Sequence, residues 1–461
     1  MKSYMAQWIA AMSANVAMLS CGMLFGWASP TLPKLLSGED QLRLNSDEGA
    51  WAISMLSFGC AVGPLLSCLL VDRIGRKWSL LWMTVPNLAS WLIIGLADSA
   101  GLLYAGRFVG GIAVGGTYSL MPMYLGEVAE DRIRGGLGTL MLSMLNSGML
   151  FAFSVGPWVS RQTLCVIAVI PPLIFLLTFL WMPETPYYLI MKNNEDKAEK
   201  SLIWLRQNSN VTEELDEIRI NVERQSQNDS SVFELIKSVG NRKALYISGG
   251  LLFVQQFCGV NPLQSYASII FEKSGFAINS SYSVIIMGVV KTVSAIFCFF
   301  IIDTLGRRPI LIFSAMFTVL SLTAVAIFFH LQNLNIDTEN ITWLPLAGVI
   351  LFYITYSIGL GAIPYAIIAE IFPTNVKAKA SVILSMYGSA LAMIISKLYQ
   401  IISDAVGEHV VFYGFAIITM LGVVFIYFYV PETKQQSLQE IQDALNQVDS
   451  KDKKQQKDTS G

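Results

Sequence analysis

Positions 255–271 read QQFCGVNPLQSYASIIF, placing Gln255, Gln256, Asn261, Gln264 and Tyr266 in a stretch otherwise apolar enough to lie in a bilayer. Buried amides and hydroxyls cost roughly 2–7 kcal/mol each unless hydrogen-bonded. A ligand that is a ring of hydroxyls could supply those bonds, and water could replace it in an empty site. Pro262 lacks an N–H and clashes with the preceding turn, so with Gly259 it permits a bend and exposes carbonyls. Helical spacing puts Gln255, Gly259, Pro262 and Tyr266 on one stripe. A second weak point is GLGAIPYAIIAE at 359–370, where Gly359, Gly361 and Pro364 allow a helix to break beside Tyr365. Lys291 stands ten residues into another apolar run, where a charged lysine costs about 2.5–3.5 kcal/mol on insertion scales. It is expected to face a cavity, as a donor to a hydroxyl or an attraction for an anion.

Charged marks recur in order around these stretches. DRIGRK at 72–77 supplies Asp72, Arg76 and Lys77, and DTLGRR at 303–308 supplies Asp303, Arg307 and Arg308. Glu127 and Arg134 are matched by Glu370 and Lys377, and Pro183-Glu184-Thr185 by Pro431-Glu432-Thr433. The offsets are 231, 243 and 248 residues. This is an internal parallel repeat, a plan on which transporters place a substrate site near the midplane between halves. Acidic and basic residues at helix ends can pair across loops, and such pairs are expected to open with a gate on that side. Anchoring by positive charge alone would not call for the carboxylates.

The elements that must hold these residues follow from composition. The chain has 461 residues, is 54% apolar and 14% charged, against roughly 25% charged for a soluble domain. Apolar runs of about 20 residues, the length of a bilayer crossing, fall at 8–30, 51–71, 78–97, 101–124, 137–158, 163–181, 244–270, 281–302, 309–330, 343–368, 380–402 and 409–430, numbered here as spans 1 to 12. If both termini are cytoplasmic, 24 of the 31 lysines and arginines lie on that side, 4 on the other and 3 inside spans. That asymmetry is the positive-inside pattern. The expected organisation is an all-helical membrane protein, with a six-helix half over 1–181, a cytoplasmic helical linker over 182–243, a second half over 244–433 and a largely disordered tail over 434–461. Within the linker, Leu202, Leu205, Leu215 and Ile218 give two short helices an apolar face.

Composition also excludes function classes. The six cysteines lie in apolar runs without C-x-x-C spacing, so neither a disulfide framework nor a metal site is expected. Net charge −2 does not favour nucleic acid. His330 and His409 have no partner spacing, so there is no sign of an enzyme's nucleophile and base, nor of a cofactor. Arg107 in span 4 must be paired, with Glu127 or Glu184 as possible partners. The sequons at Asn279 and Asn340 fall on the expected outer face.

Eight stretches carry a resemblance: DRIGRK, YAGRFVGG (104–111), MYLGEVAEDRIRGGLGTL (123–140), PETPYYLI (183–190), QQFCGVNPLQSY (255–266), DTLGRR, GLGAIPYAIIAEIFP (359–373) and PETK (431–434). In these the chain resembles the sugar porter family of the major facilitator superfamily, and within it the insect facilitative trehalose and glucose transporters. The resemblance implies a twelve-helix fold and transport by alternating access; the outer-face sequons point to the plasma membrane, and function as a monomer is expected. It also implies that Gln255, Gln256 and Asn261 hydrogen-bond a sugar, with Tyr266 an adjacent aromatic. Tyr365 stands where the family usually has a tryptophan, and Lys291 where it often has an amide. Leu142 replaces a sugar-contacting glutamine and leaves Asn146 as the nearest polar residue, while Gly388 and Ser389 replace an Asn-Trp pair beside Tyr387. These losses of bulk suit a ligand larger than a monosaccharide. Leu360 and Ala362 replace prolines, so a softer bend is expected in span 10. Ala28 occupies the place of the aspartate typical of proton symporters, which favours facilitated diffusion. Trp51 resembles an outer-mouth motif and is read as packing.

Overall fold

The computed structural model describes residues 4–227, 233–301 and 306–434. No strand occurs among them. Eleven helical stretches are long and apolar enough to cross a bilayer, from Met5–Ser37 to Glu408–Tyr429. The remaining expected span, the seventh, is divided into helices Val239–Phe257, Val260–Ser265 and Ala267–Lys273. Its first helix carries Arg242, Lys243, Gln255 and Gln256, which lower its apolar character. The linker forms helices Pro186–Met191, Glu195–Arg206, Thr212–Gln227 and Glu234–Lys237. Ala198, Leu202, Val211 and Ile218 close a small apolar core between them, as the spacing of Leu202 and Ile218 predicts.

The repeat is visible in what touches what. Spans 1 and 5 pack together as do 7 and 11, spans 2 and 4 as do 8 and 10, and spans 3 and 6 as do 9 and 12. The contacts between halves obey the same symmetry. Span 2 meets span 11, span 8 meets span 5, and span 1 meets span 7. Because spans separated by six are repeat counterparts, the first two interfaces are equivalent and the third is its own counterpart. Short connections alternate the helices in direction, so the ends of spans 2, 4, 6, 8, 10 and 12 share the face that carries the linker. The opposite face is called the far face below.

Apolar side chains have no driving force to leave apolar lipid, so helices in a membrane associate through close contact and internal hydrogen bonds. Spans 2 and 4 illustrate the first. A Cβ on Gly59 would lie 2.1 Å from the Phe108 carbonyl oxygen, and one on Gly111 would lie 2.1 Å from that of Leu56. Only glycine allows these backbones to approach so closely. Arg161 illustrates the second, on the far face. It donates to both Asp40 oxygens and to the carbonyls of Ile94 and Ala97, tying span 6 to the end of span 3. Overpacking a tight contact costs about 1–3 kcal/mol or more. Gly111→Val is therefore expected to lower the melting temperature of the purified protein by several degrees, whereas Gly138→Ala, with open space at its Cβ, should leave it nearly unchanged.

Candidate substrate site and its gates

Span 7 breaks first at Gly259, whose φ of +88° is in the left-handed region. A Cβ there would lie 2.3 Å from the Phe415 ring, so backbone conformation and space both require glycine. The second break is at Tyr266, leaving Pro262 within the short central helix. The continuous stripe expected from Gln255 to Tyr266 does not exist, because a left-handed residue rotates everything after it. Tyr266 is fully buried against Tyr399, with ring centroids 4.7 Å apart.

The amides instead form a chain. Asn261 Nδ2 donates to Gln256 Oε1 at 2.6 Å, and Gln256 Nε2 to Gln255 Oε1 at 3.3 Å. Gln255 Nε2 donates across to the carbonyls of Leu360 and Gly361, at 2.7 and 3.1 Å. Those carbonyls are free because span 10 is fully interrupted between Leu344–Ile358 and Ile363–Ile371. The break therefore forms without the two prolines that Leu360 and Ala362 replace. Gly359 is pressed against Ser314, whose Oγ accepts from Leu360 N at 3.1 Å and donates to the Thr355 carbonyl at 2.7 Å. Hydrogen bonds from span 9 and span 7 thus hold the break where the two prolines are missing.

Around this core stand the other candidates. Lys291 Nζ donates to Gln264 Oε1 and lies 3.3 Å from Met149 Sδ of span 5, over the Tyr353 ring at 5.4 Å. It forms no ion pair among the described residues. Asn146 is buried in span 5. Tyr365 is 39% exposed, and its ring is 6.5 Å from Tyr118 of span 4, across the interface between halves. Leu142 is 36% exposed. A Cβ on Gly388 would meet only the Leu252 methyls, at 3.9 and 4.0 Å.

The charged marks assemble into two matching clusters on the linker face. Gly75 has φ +96° and Gly306 has φ +85°. Each turns the chain so that the next two backbone N–H groups open a helix against one glutamate. Glu184 accepts from Arg76 N and Lys77 N at 3.1 Å, and Glu432 from Arg307 N at 2.9 Å and Arg308 N at 3.1 Å. A carboxylate at a helix N-terminus satisfies its unpaired donors and its dipole. Burial pushes the Glu184 pKa above the ordinary value despite the N–H groups of Thr185 and Lys77. Glu432 is also raised by burial, but bonds from Arg307, Lys434, Arg308 and Thr433 outweigh that and hold it below.

The side chains complete each cluster. Arg76 pairs with Glu127 at 3.0 Å and with Asp72 at 3.7 Å, and Arg307 pairs with Glu370 at 3.2 Å. Lys77 Nζ donates to the Leu180 carbonyl and Arg308 to that of Tyr427. These pairs join span 3 to span 4 and span 9 to span 10, each inside one half. Among the described residues, none of these pairs joins one half to the other. Lys377 forms no ion pair among the described residues, and Asp303 and the Arg134 side chain lie outside them.

A set of polar contacts that cross between halves lies on the far face. Lys397 of span 11 bonds Asp47 at the start of span 2, to Oδ1 at 2.5 Å and to the carbonyl at 3.1 Å, and its ammonium lies 4.6 Å from the Trp51 ring centroid. Ser46 donates to Asp404 and accepts from Gln400 at 2.8 Å. Ser29 of span 1 meets Ser268 of span 7, Oγ to Oγ at 3.0 Å. Sequence reasoning missed this set, although Lys397 is one of three charges inside spans and such charges are functional candidates by default. Arg107 is another. Its partners are the carbonyls of Leu24 at 2.6 Å and Ala52 at 3.2 Å, with the Trp27 ring at 4.9 Å. Neither Glu127 nor Glu184 is its partner, because Arg107 and Glu127 are 20 residues apart on one helix, about 30 Å at 1.5 Å per residue. His330 and His409, unremarkable in sequence, stack with centroids 5.1 Å apart on the far face.

A model of the family described as "Sugar (and other) transporter" matches residues 10–445. The chain belongs to the sugar transporter family of the major facilitator superfamily. The transporter is 32% identical over 437 residues to the facilitated trehalose transporter Tret1 of Bombyx mori, covering 95% of this chain and 86% of that one. It is 33% identical over 438 residues to Tret1 of Polypedilum vanderplanki, covering 93% and 86%. Its fold matches the inward open conformation of the xylose transporter XylE from E. coli with a TM-score of 0.79 at 21% identity, over 94% of this chain and 98% of that one.

For the far face to open, the Lys397, Ser46 and Ser29 contacts must all break. Exposed pairs contribute about 0–1 kcal/mol each, so this set biases the conformational equilibrium by about 1–2 kcal/mol, or roughly five- to thirty-fold. Lys397→Met is expected to increase, by about three- to tenfold, the rate at which a membrane-impermeant thiol reagent modifies a cysteine introduced by Ser29→Cys. An unchanged rate would mean that the Lys397 contact does not hold the face closed.

Proposed function

We propose that the transporter moves a neutral sugar by facilitated diffusion through alternating access, with trehalose, glucose or both as substrate. The observation that carries this reading is the chain of amides from Asn261 to Gln255 at the junction of two broken spans. Hydroxyls both donate and accept, so a sugar can exchange with water on such groups without leaving any amide bare. Gln255, Gln256, Asn261, Asn146, Lys291 and Tyr365 are proposed to line the route, with Tyr266 acting behind them through span 11. The insect relatives named as facilitated trehalose transporters support the disaccharide. So do exposed Leu142 and the open space at Gly388, which favour a ligand larger than a monosaccharide. Ala28 in span 1 supplies no carboxylate to carry a proton, which favours uniport over proton symport.

The linker-face clusters at Asp72, Arg76, Lys77, Glu127, Arg134 and Glu184, and at Asp303, Arg307, Arg308, Glu370, Lys377 and Glu432, are proposed to keep each half rigid as it rocks. Positive charge concentrated on that face supports cytoplasmic termini, and the transporter is proposed to act as a monomer in the plasma membrane. Asn279 and Asn340 are exposed on the far face and are the proposed glycan acceptors. Lys291, without an acidic partner, favours a second reading in which the substrate is a polyol or an organic anion.

Uptake of labelled trehalose and glucose into proteoliposomes without a pH or sodium gradient tests these readings. Saturable trehalose entry that an imposed proton gradient fails to concentrate is expected, with Gln256→Leu lowering it at least tenfold. Glucose entry alone would remove the enlarged-site argument. Entry of neither sugar, with uptake of a hexonate abolished by Lys291→Met, would establish the anion reading instead.

A further inference from the structure

We propose that an open crevice on the linker face binds the phosphate headgroup of an anionic phospholipid. The crevice, about 330 Å³, lies between the end of span 6 and the linker helix Glu195–Arg206, and Trp181, Lys197, Lys200 and Trp204 line it. Lys197, Lys200 and Trp204 recur at helical spacing and so form one stripe. Neither lysine has an ion-pair partner among the described residues. The carboxylate that also lines the crevice, Glu184, is occupied by the backbone N–H groups of Arg76, Lys77 and Thr185. It forms no ion pair with either lysine, so two positive charges face its single, hydrogen-bonded negative one.

Two observations place a lipid here rather than a soluble anion. Trp181 ends span 6 and is 83% exposed, in the position where tryptophan marks the boundary between hydrocarbon and headgroups. Trp204 faces it from the linker, so the lysine stems can lie along indole surface while their ammonium groups reach the phosphate layer. The site is also preformed. Ser201 Oγ donates to the Glu184 carbonyl at 2.6 Å, and Arg206 donates to that of Val128 at 2.9 Å, which hold the helix against the first half. A phosphate held between Lys197 and Lys200 would clamp the linker to the bilayer surface beside span 6.

Native mass spectrometry of the purified full chain with phosphatidic acid, phosphatidylcholine and glycerol 3-phosphate tests the proposal. The expected result is selective retention of phosphatidic acid, weakened about thirty-fold by Lys197→Gln with Lys200→Gln and kept by the corresponding arginine pair. If the double glutamine variant does not elute as a single folded species, Lys197→Gln alone decides, with about a fivefold loss expected. Undiminished retention by the glutamine variants would overturn the proposal. Glycerol 3-phosphate bound as tightly as the lipid would overturn it in favour of a soluble phosphate ester.

Discussion

A backbone carbonyl in a bilayer has no water to turn to, and each one left bare costs several kcal/mol. Span 10 leaves carbonyls at Leu360 and Gly361 bare, and the Gln255 amide of span 7 covers them. That bond explains why two broken helices can coexist at the centre of the second half. It also orients the amides that follow, since Gln255 Oε1 then receives Gln256, and Gln256 Oε1 receives Asn261. The polar groups proposed to meet a sugar are thus the same groups that make the breaks tolerable. In the first half, span 4, the counterpart of span 10, is one continuous helix, and span 1, the counterpart of span 7, is interrupted only at Trp27, which keeps helical φ and ψ, so the breaks and their amides are concentrated in the second half.

Rigidity is distributed in the opposite sense. The charged turns repeat in both halves because each solves the same local problem, a reversal between two long helices whose new N-terminus needs an acceptor. Gly75 and Gly306 allow the reversal, and Glu184 and Glu432 provide the acceptor from the end of the last span in each half. The half is thereby closed into a bundle. On the far face, Lys397 with Asp47 and Ser29 with Ser268 join the two bundles, and their modest energies suit contacts that the proposed alternating access would make and break.

The fold was legible because long apolar runs and their charged boundaries are set by bilayer thickness and positive-inside asymmetry, which act residue by residue. The repeat was legible for the same reason. Gln255, Gln256 and Asn261 stood out as amides in an apolar run, but their partners did not, since carbonyls released by a break are not written as residue types. A helical stripe through Tyr266 failed because one residue, Gly259, adopts a left-handed conformation, and periodicity assumes that none does. Glu127 and Glu184 are the carboxylates the sequence offers to Arg107, but two carbonyls and an indole satisfy it, and carbonyls carry no signal in residue types. Lys397 carried a readable signal, a charge within a span, yet its partner Asp47 is 350 residues away and no local pattern joins them.

The dependence of the site on one amide can be measured directly by hydrogen–deuterium exchange over residues 356–367 in the parent and in Gln255→Leu. The account predicts faster exchange confined to that segment and to residues 255–261, with the linker-face turns at 72–77 unaffected. Unchanged exchange at 356–367 in the variant, with sugar transport intact, would contradict it, because the break in span 10 would then be supported by something other than Gln255.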